Sequence, residues 1–442
     1  ATANQNQSSE YKFVLSSFEN LKKKGSKTYK HRFDFQTLNL KDDFFPTKTA
    51  NSKTTVKQLW SDFKRDYYNF SKGKNATQKG RLALSLLEKY AVTIPAPIGK
   101  NPEVSWLDYA KIKAGLAICL HDIKETQPEN PLLIIRGGIS GIQGFIGNIA
   151  SKNASKNLKG RSFYVQLIVN TALQLLLKKL NLFEGNVMYA SGGNFFVIAP
   201  NTEAVRNKLE EFEKDITAAL FDAYKTRLSV IVAWGEVSEE QVLKAKINKA
   251  ITDLFNNEIT KKKKQKFATL IEDNYAMFFD ESKGDEGGEQ ILDGITGEEV
   301  KPTFKRFWLV DGAIPKLKEI SEIENIQTST IVSEQTAKQI FIGHNLKLKE
   351  IKYWLTSTKL TKKGIDKKKG VEIHPLPKYP TNEGNIYHYL IDDYKKLEHE
   401  KAETIQSINE TEVTVDKSFV FYGGNNVPTF GVEKYTELVE NR

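Results

Sequence analysis

An α+β fold is predicted for this 442-residue chain by three observations. Apolar residues recur at helical spacing up to about Lys124, strand-like and helix-like segments alternate from Pro131 to Gly235, and shorter, more hydrophilic segments follow. The first stretch reads as a helical amino-terminal region over 1–125. The second reads as a ferredoxin-like unit over 131–236, and the third as a carboxy-terminal α+β domain over 237–442. The length suits roughly two to four domains with a sizeable core.

After a polar tail, ATANQNQSSE, two segments carry the helical reading: GRLALSLLEKYAV and SWLDYAKIKAGLAICLHDI, separated by the proline-bearing PAPIGKNPE. PLLIIRGGI is a predicted strand, and NLKGRSFYVQLIVNTALQLLLKKL a long helix. NVMYASGGNFFVIAP predicts two strands joined at SGG, TEAVRNKLEEFEKDITAALFDAYK an amphipathic helix, and RLSVIVAWGEV a last strand. That order is βαββαβ, which polymerase palms, nucleotidyl cyclases and RNA-recognition motifs share. Beyond it, KKKKQK at 261–266, KGDEGGEQ at 283–290 and TKKGIDKKKG at 361–370 are expected as hydrophilic loops. No fixed-period internal repeat is visible.

Lys and Arg number 65 against 55 Asp and Glu, a net charge of +10 dispersed along the chain. This favours a polyanionic partner as much as it favours a simply soluble lysine-rich surface. The single cysteine, Cys119, lies in the apolar run AGLAICL and reads as a buried, inert thiol. Neither an internal disulfide nor a cysteine zinc site is available to one cysteine. Apolar runs are too short and interrupted for a transmembrane helix, so a cytoplasmic protein without a membrane partner is expected.

A catalytic palm makes a definite chemical demand. It places carboxylates at the end of its first strand and in the turn of its central hairpin, where they hold two Mg²⁺ ions. The corresponding places here read Arg136, Gly137, Gly138 and Ser191, Gly192, Gly193, Asn194. One Asn carbonyl does not replace three carboxylates, so neither a catalytic residue nor a metal ligand is assigned. Glycines in SGGN also suit an ordinary hairpin turn.

GISGIQGFI, followed by SKNLKGRSFYVQL and YASGGNFFVIAPN, resembles the first palm domain of the large subunit of type III-A CRISPR interference complexes. In the same order, LLEKYAVTIPAPIGKNPEVSWLDYAKIKAGLAICLHD resembles the approach to that palm, and FVFYGGNNVPTF the segment before the second palm. The resemblance implies a family with oligoadenylate cyclase and single-stranded DNase activity. It also implies guide CRISPR RNA, target RNA and other type III effector subunits as partners.

The departures matter as much. The family's Asp-His pair reads Asp108-Tyr109, and no histidine-aspartate nuclease motif precedes it; His121-Asp122 ends a helix where the family has no metal site. The family's four-cysteine zinc knot would fall in ILDGITGEEV and TSTIVSEQTAKQIFIG, which contain no cysteine, so packing without zinc is expected there. The Gly-Gly-Asp-Asp turn of the second palm would fall beyond Arg442, and GGNN at 423–426 lacks its carboxylates. An amino-terminal portion or split half of the large subunit is therefore expected, with the catalytic palm on another chain or segment.

By the same resemblance, Gly138, Ser140, Gly141, Gln143, Ser191, Gly192 and Gly193 would face a nucleotide. The chain would then form one wall of a composite site for ATP, whose Mg²⁺ or Mn²⁺ the second palm would hold. Lys152, Lys156, Lys159 and Arg161 would form a basic rim for RNA or phosphate at a helix start. Phe145 and Phe163 read as core rather than stacking platforms. The alternative is an RNA-binding scaffold with no nucleotide site; an independent cyclase or polymerase is disfavoured by the empty carboxylate positions.

Overall fold

The structure, a computed structural model, describes residues 13–15, 31–38, 46–49, 52, 54–73, 75–97, 104–147, 154–243, 246–273, 275, 291–300, 306–310, 315–319, 321, 323, 330–347, 350–355, 359–361, 364–366, 373–375, 385–390, 405–406, 413–414 and 419–420. The fold mixes helices with mostly antiparallel sheets. The chain divides into two compact units, Ala1–Ala114 with His388–Arg442, and Gly115–Tyr387, where three consecutive domains were expected.

In the first unit, helices α1 (Val56–Phe70) and α2 (Ala76–Ala91) pack through Leu59, Leu82, Leu86 and Tyr90. Thr55 caps α1 by accepting from the Gln58 amide at 3.2 Å. Beneath this core Asp66 accepts from the Tyr90 hydroxyl at 2.5 Å and from Lys89 Nζ at 3.4 Å, all three residues being buried. Helix α3 spans Trp106–Asp122. Helical patterning does not extend to the described residues before Thr55: Leu15, Arg32 and Thr47 form isolated antiparallel bridges. The reason is visible in RFDFQ, whose alternation of polar and aromatic residues suits extended backbone.

The second unit is built on a four-stranded sheet. Strands β1 (Leu132–Ser140), β2 (Val187–Ser191), β3 (Asn194–Pro200) and β4 (Ser229–Val237) lie in the order β2-β3-β1-β4, every neighbouring pair antiparallel. After β1 comes a short helix α4 (Ile142–Gly147), then the long helix α5 (Ala154–Leu180). Helix α6 (Glu203–Tyr224) follows β3, its amino end capped by Thr202, which accepts from the Val205 amide at 3.2 Å. One sheet face buries Leu132, Ile134, Ile198, Ile231 and Ala233 against Cys119, Leu254 and Ile259.

The expected loop at 261–266 is instead mostly helical, within α9, which spans Thr260–Lys264 and follows α7 (Glu239–Leu243) and α8 (Ile247–Leu254). Lys262 donates to Glu213 at 2.6 Å and to the Val232 carbonyl at 2.7 Å, and lies 4.5 Å over the Trp234 ring. Burial raises the pKa of Glu213, and Lys262 opposes that by favouring its charged form. Part of 361–370 also departs from a loop, since Lys359–Thr361 pairs with Gly364–Asp366 as a hairpin. Residues 283–290 lie outside the described residues.

A smaller sheet sets β5 (Arg306–Leu309) between β6 (Lys316–Glu319) and β7 (Ile331–Val332). It is clasped by Asp293, only 1% exposed. Asp293 Oδ1 accepts from the amides of Ile295 at 2.9 Å and Thr296 at 3.0 Å, while Oδ2 accepts from Ser333 N at 2.7 Å. This carboxylate ties the turn in ILDGITGEEV directly to the segment that opens the following helix, Glu334–Lys347.

Candidate functional site

The open end of the main sheet is shaped by what its residues lack. Gly192 and Gly193, with φ of 59° and 83°, turn β2 into β3 through backbone that glycine alone adopts without strain. Gly138 sits opposite Asn194 on one side and Ile231 on the other. A Cβ on Gly138 would lie 2.5 Å from Asn194 Oδ1, so the bare backbone makes room for that amide. Arg136, two residues back on the same face, donates from Nη2 to Asn194 Oδ1 at 3.0 Å. Its guanidinium lies 5.6 Å over the Phe196 ring, and half-exposed Tyr189 stands 6.3 Å from Phe196. Partial burial pulls the Arg136 pKa down, yet an arginine keeps its charge at neutral pH.

Of the residues named from sequence, Gly138, Ser191, Gly192 and Gly193 come together around Asn194. Gly193 also accepts from the Ile139 amide at 2.9 Å, and a Cβ there would meet the Ile142 side chain. Ser140 pairs with Ser229 at the carboxy-terminal end of β1, two residues beyond Gly138, and Gln143 is exposed on α4. Gly141 has a φ of 94°, and its missing Cβ would lie 2.1 Å from the Arg227 carbonyl oxygen. Its smallness serves close backbone packing at the start of β4.

Of the basic group, the Arg161 side chain is described. Lys152 lies outside the described residues, while Lys156 and Lys159 belong to the first turns of α5. Arg161 is 2% exposed, its guanidinium 4.7 Å over the Phe145 ring, and burial lowers its pKa. An arginine enclosed in this way supports α4 rather than a solvated rim. Phe145 and Phe163 are buried, as expected of core residues. Phe145 meets Tyr224 edge-on at 5.8 Å, and the hydroxyls of Tyr224 and Tyr164 are 2.7 Å apart.

Asp108 has a local task. Its Oδ2 accepts from the Ser105 hydroxyl at 2.8 Å while Ser105 Oγ accepts from the Asp108 amide at 3.1 Å, a reciprocal cap on α3. His121 and Asp122 form an exposed pair at the other end of that helix. Arg136, Asn194, Phe196 and Tyr189 were not singled out from sequence as ligand contacts. The available signal was an arginine within the otherwise apolar LLIIRGGI.

These groups do not fit a divalent cation. The Asn194 amide oxygen already accepts from a guanidinium, and Mg²⁺ requires hard anionic oxygens. Among the described residues no group of three or more His, Cys, Asp or Glu side chains is arranged to hold a metal ion. The cationic group beside this backbone free of side chains is the Arg136 guanidinium.

Comparison with known proteins finds similarity to CRISPR effector proteins. It is related to the Cas10/Csm1 large subunit of subtype III-A, and residues 131–281 match the family described as Csm1 subunit domain B. The Cas10/Csm1 single-strand-specific deoxyribonuclease of Methanocaldococcus jannaschii is 28% identical over 251 residues, 49% of this chain and 30% of the relative. That of Enterococcus italicus is 29% identical over 200 residues, covering 40% of this chain and 26% of the relative. The matches therefore span about a third or less of these relatives. A crystallised Csm1–Csm4 cassette in complex with cA3 is similar in fold, with a TM-score of 0.51 at 15% identity, over 88% of this chain and 44% of that one. No helix among the described residues is long and apolar enough to cross a membrane.

Proposed function

We propose that the β1–β4 sheet with α5 and α6 is a ferredoxin-like palm without catalytic carboxylates, and that its open end supplies one wall of a composite ATP site for cyclic oligoadenylate synthesis. The observation that carries this reading is the Arg136–Asn194 pair beside Gly138 and the Gly192–Gly193 turn. Arg136 would bind phosphate charge, Asn194 would hold its guanidinium in place, and Gly138 would keep the approach clear. The metal ions would be held by a second palm on another segment or chain. Strand order β2-β3-β1-β4 supports the palm reading, and kinship with Cas10/Csm1 supports the reaction class.

In this reading the flanking regions serve as scaffold in a type III effector complex, with guide CRISPR RNA, target RNA and other effector subunits as partners. Purified by itself with ATP and Mg²⁺ or Mn²⁺, the chain forms no oligoadenylate and cuts no single-stranded DNA. In the assembled complex, photo-cross-linking with 8-azido-ATP labels peptides containing Arg136 or Asn194. Arg136→Ala weakens ATP binding by about 1.5–3 kcal/mol, the worth of a charge-assisted hydrogen bond. Salt-sensitive RNA binding by an assembly that takes no ATP at this sheet would overturn the composite site in favour of a pure RNA scaffold.

A further inference from the structure

Two short turns that lie far apart in the sequence share one spacing. Asp293 and Thr296 stand three residues apart in the first, and Ser333 and Thr336 three residues apart in the second. The first turn lies inside an antiparallel bridge between Leu292 and Glu299, where Gly297, at a φ of 70°, donates its amide to the Asp293 carbonyl at 2.7 Å. The second opens the helix Glu334–Lys347, with Ser333 Oγ accepting from the Thr336 amide at 3.2 Å. Two paired positions with two residues between the members of each pair are how a chain commonly presents four ligands to a structural zinc ion.

One chain of hydrogen bonds links the four positions. Asp293, with Oδ1 on the Ile295 and Thr296 amides, reaches across 40 residues of sequence to Ser333 N at 2.7 Å. Ser333 Oγ donates in turn to Thr336 Oγ1 at 3.0 Å, while Thr296 Oγ1 accepts from the Glu298 amide at 3.4 Å. Asp293, Thr296 and Thr336 are buried.

These groups do not fit zinc. A structural zinc ion takes thiolate, imidazole or carboxylate ligands. The chain's one cysteine is elsewhere, buried at Cys119. Both oxygens of Asp293 are taken by backbone amides, and three neutral hydroxyls bring no charge to a dication.

We infer that Asp293, Thr296, Ser333 and Thr336 stand at the four ligand positions of a paired-turn metal frame, which this chain closes with hydrogen bonds in place of a metal ion. The disagreement with the zinc knot of the resembled family is then one of ligands and not of backbone. A frame closed in this way stays shut whatever the supply of metal or the oxidation of thiols. It also ties the first turn to the main sheet, because Glu298 pairs with Arg227 just ahead of β4.

The test uses the full chain in two forms. The unaltered chain, purified from zinc-supplemented culture, carries no stoichiometric zinc, and EDTA leaves its urea-unfolding midpoint where it was. Stoichiometric zinc whose removal lowers that midpoint overturns the proposal. In the second form Asp293, Thr296, Ser333 and Thr336 are all changed to Cys. This variant takes up Co²⁺ with the visible absorption of tetrahedral thiolate coordination and releases it to Zn²⁺. A control moves one thiol out of the frame, with Gln335→Cys in place of Thr336→Cys. It binds Co²⁺ at least about tenfold more weakly, since even changes behind the ligands commonly cost that much. Equal affinity in and out of the frame, or a folded four-thiol variant without the tetrahedral spectrum, overturns the frame. Should the four-thiol variant fail to fold in metal-free buffer, refolding with Zn²⁺ decides: recovery of the native far-ultraviolet circular dichroism supports the frame, and aggregation with and without zinc overturns it.

Discussion

Arg136 and Asn194, 58 residues apart in the chain, meet on adjacent strands with guanidinium nitrogen and amide oxygen at 3.0 Å. Their contact depends on a third position that has no side chain at all. Gly138→Val would push a Cβ against Asn194 Oδ1, a side-chain atom that can move aside. The expected result is a modest loss of stability, about 1–2 kcal/mol, with Arg136 released from its partner and ATP cross-linking reduced.

Gly141→Val meets a different obstacle. Its φ of 94° and the Arg227 carbonyl in its way are both backbone features, which cannot yield cheaply. The Gly141 variant is expected to lose clearly more stability than the Gly138 variant in urea unfolding. Similar midpoints for the two would contradict the distinction between a site glycine and a packing glycine.

Asp293 satisfies three backbone amides from a buried position. Asp293→Ala leaves those donors without their charged acceptor and is expected to cost about 2–5 kcal/mol. Asp293→Asn keeps an oxygen for Ile295 and Thr296 but turns an NH₂ toward Ser333, so an intermediate loss is expected. Amide hydrogen exchange should accelerate at Ile295, Thr296 and Ser333 together; acceleration at Ser333 alone would deny the clasp.

In the first unit, Asp66→Ala would strand Lys89, 5% exposed, without the carboxylate it donates to. A loss of about 3–5 kcal/mol is expected, and much of it should return in the Asp66→Ala/Lys89→Met double variant. A double-mutant cycle by chemical denaturation measures this coupling, and additive losses would refute it.

Burial pushes the Cys119 thiol up to about 12, with Asp122 adding to the effect. At pH 8 the folded chain therefore keeps the thiol protonated, and iodoacetamide should label it only as fast as the fold opens. Because the folded pKa lies above the unfolded one, the thiol's contribution to stability is complete below the unfolded value, ordinarily about 8.5. It is lost as pH rises toward the folded value. Rapid labelling of the native chain at pH 8 would contradict the buried position.

Much of the second unit could be read directly from the sequence because its signals are local. Strands Val187–Ser191 and Asn194–Pro200 and helix Glu203–Tyr224 follow from period-two and period-3.6 patterns, a glycine turn and a threonine cap, each contained within a few neighbours. What the site does with its polar groups was settled only in three dimensions. Arg136 finds Asn194, Arg161 disappears beneath Phe145, Lys262 turns an expected loop into a helix bound to Glu213, and Asp293 reaches Ser333. The physical reason is one of range. A hydrophobic period announces a buried face from within its own segment, whereas a charged or amide group is indifferent along the chain until folding delivers a partner to satisfy it or apolar groups to enclose it.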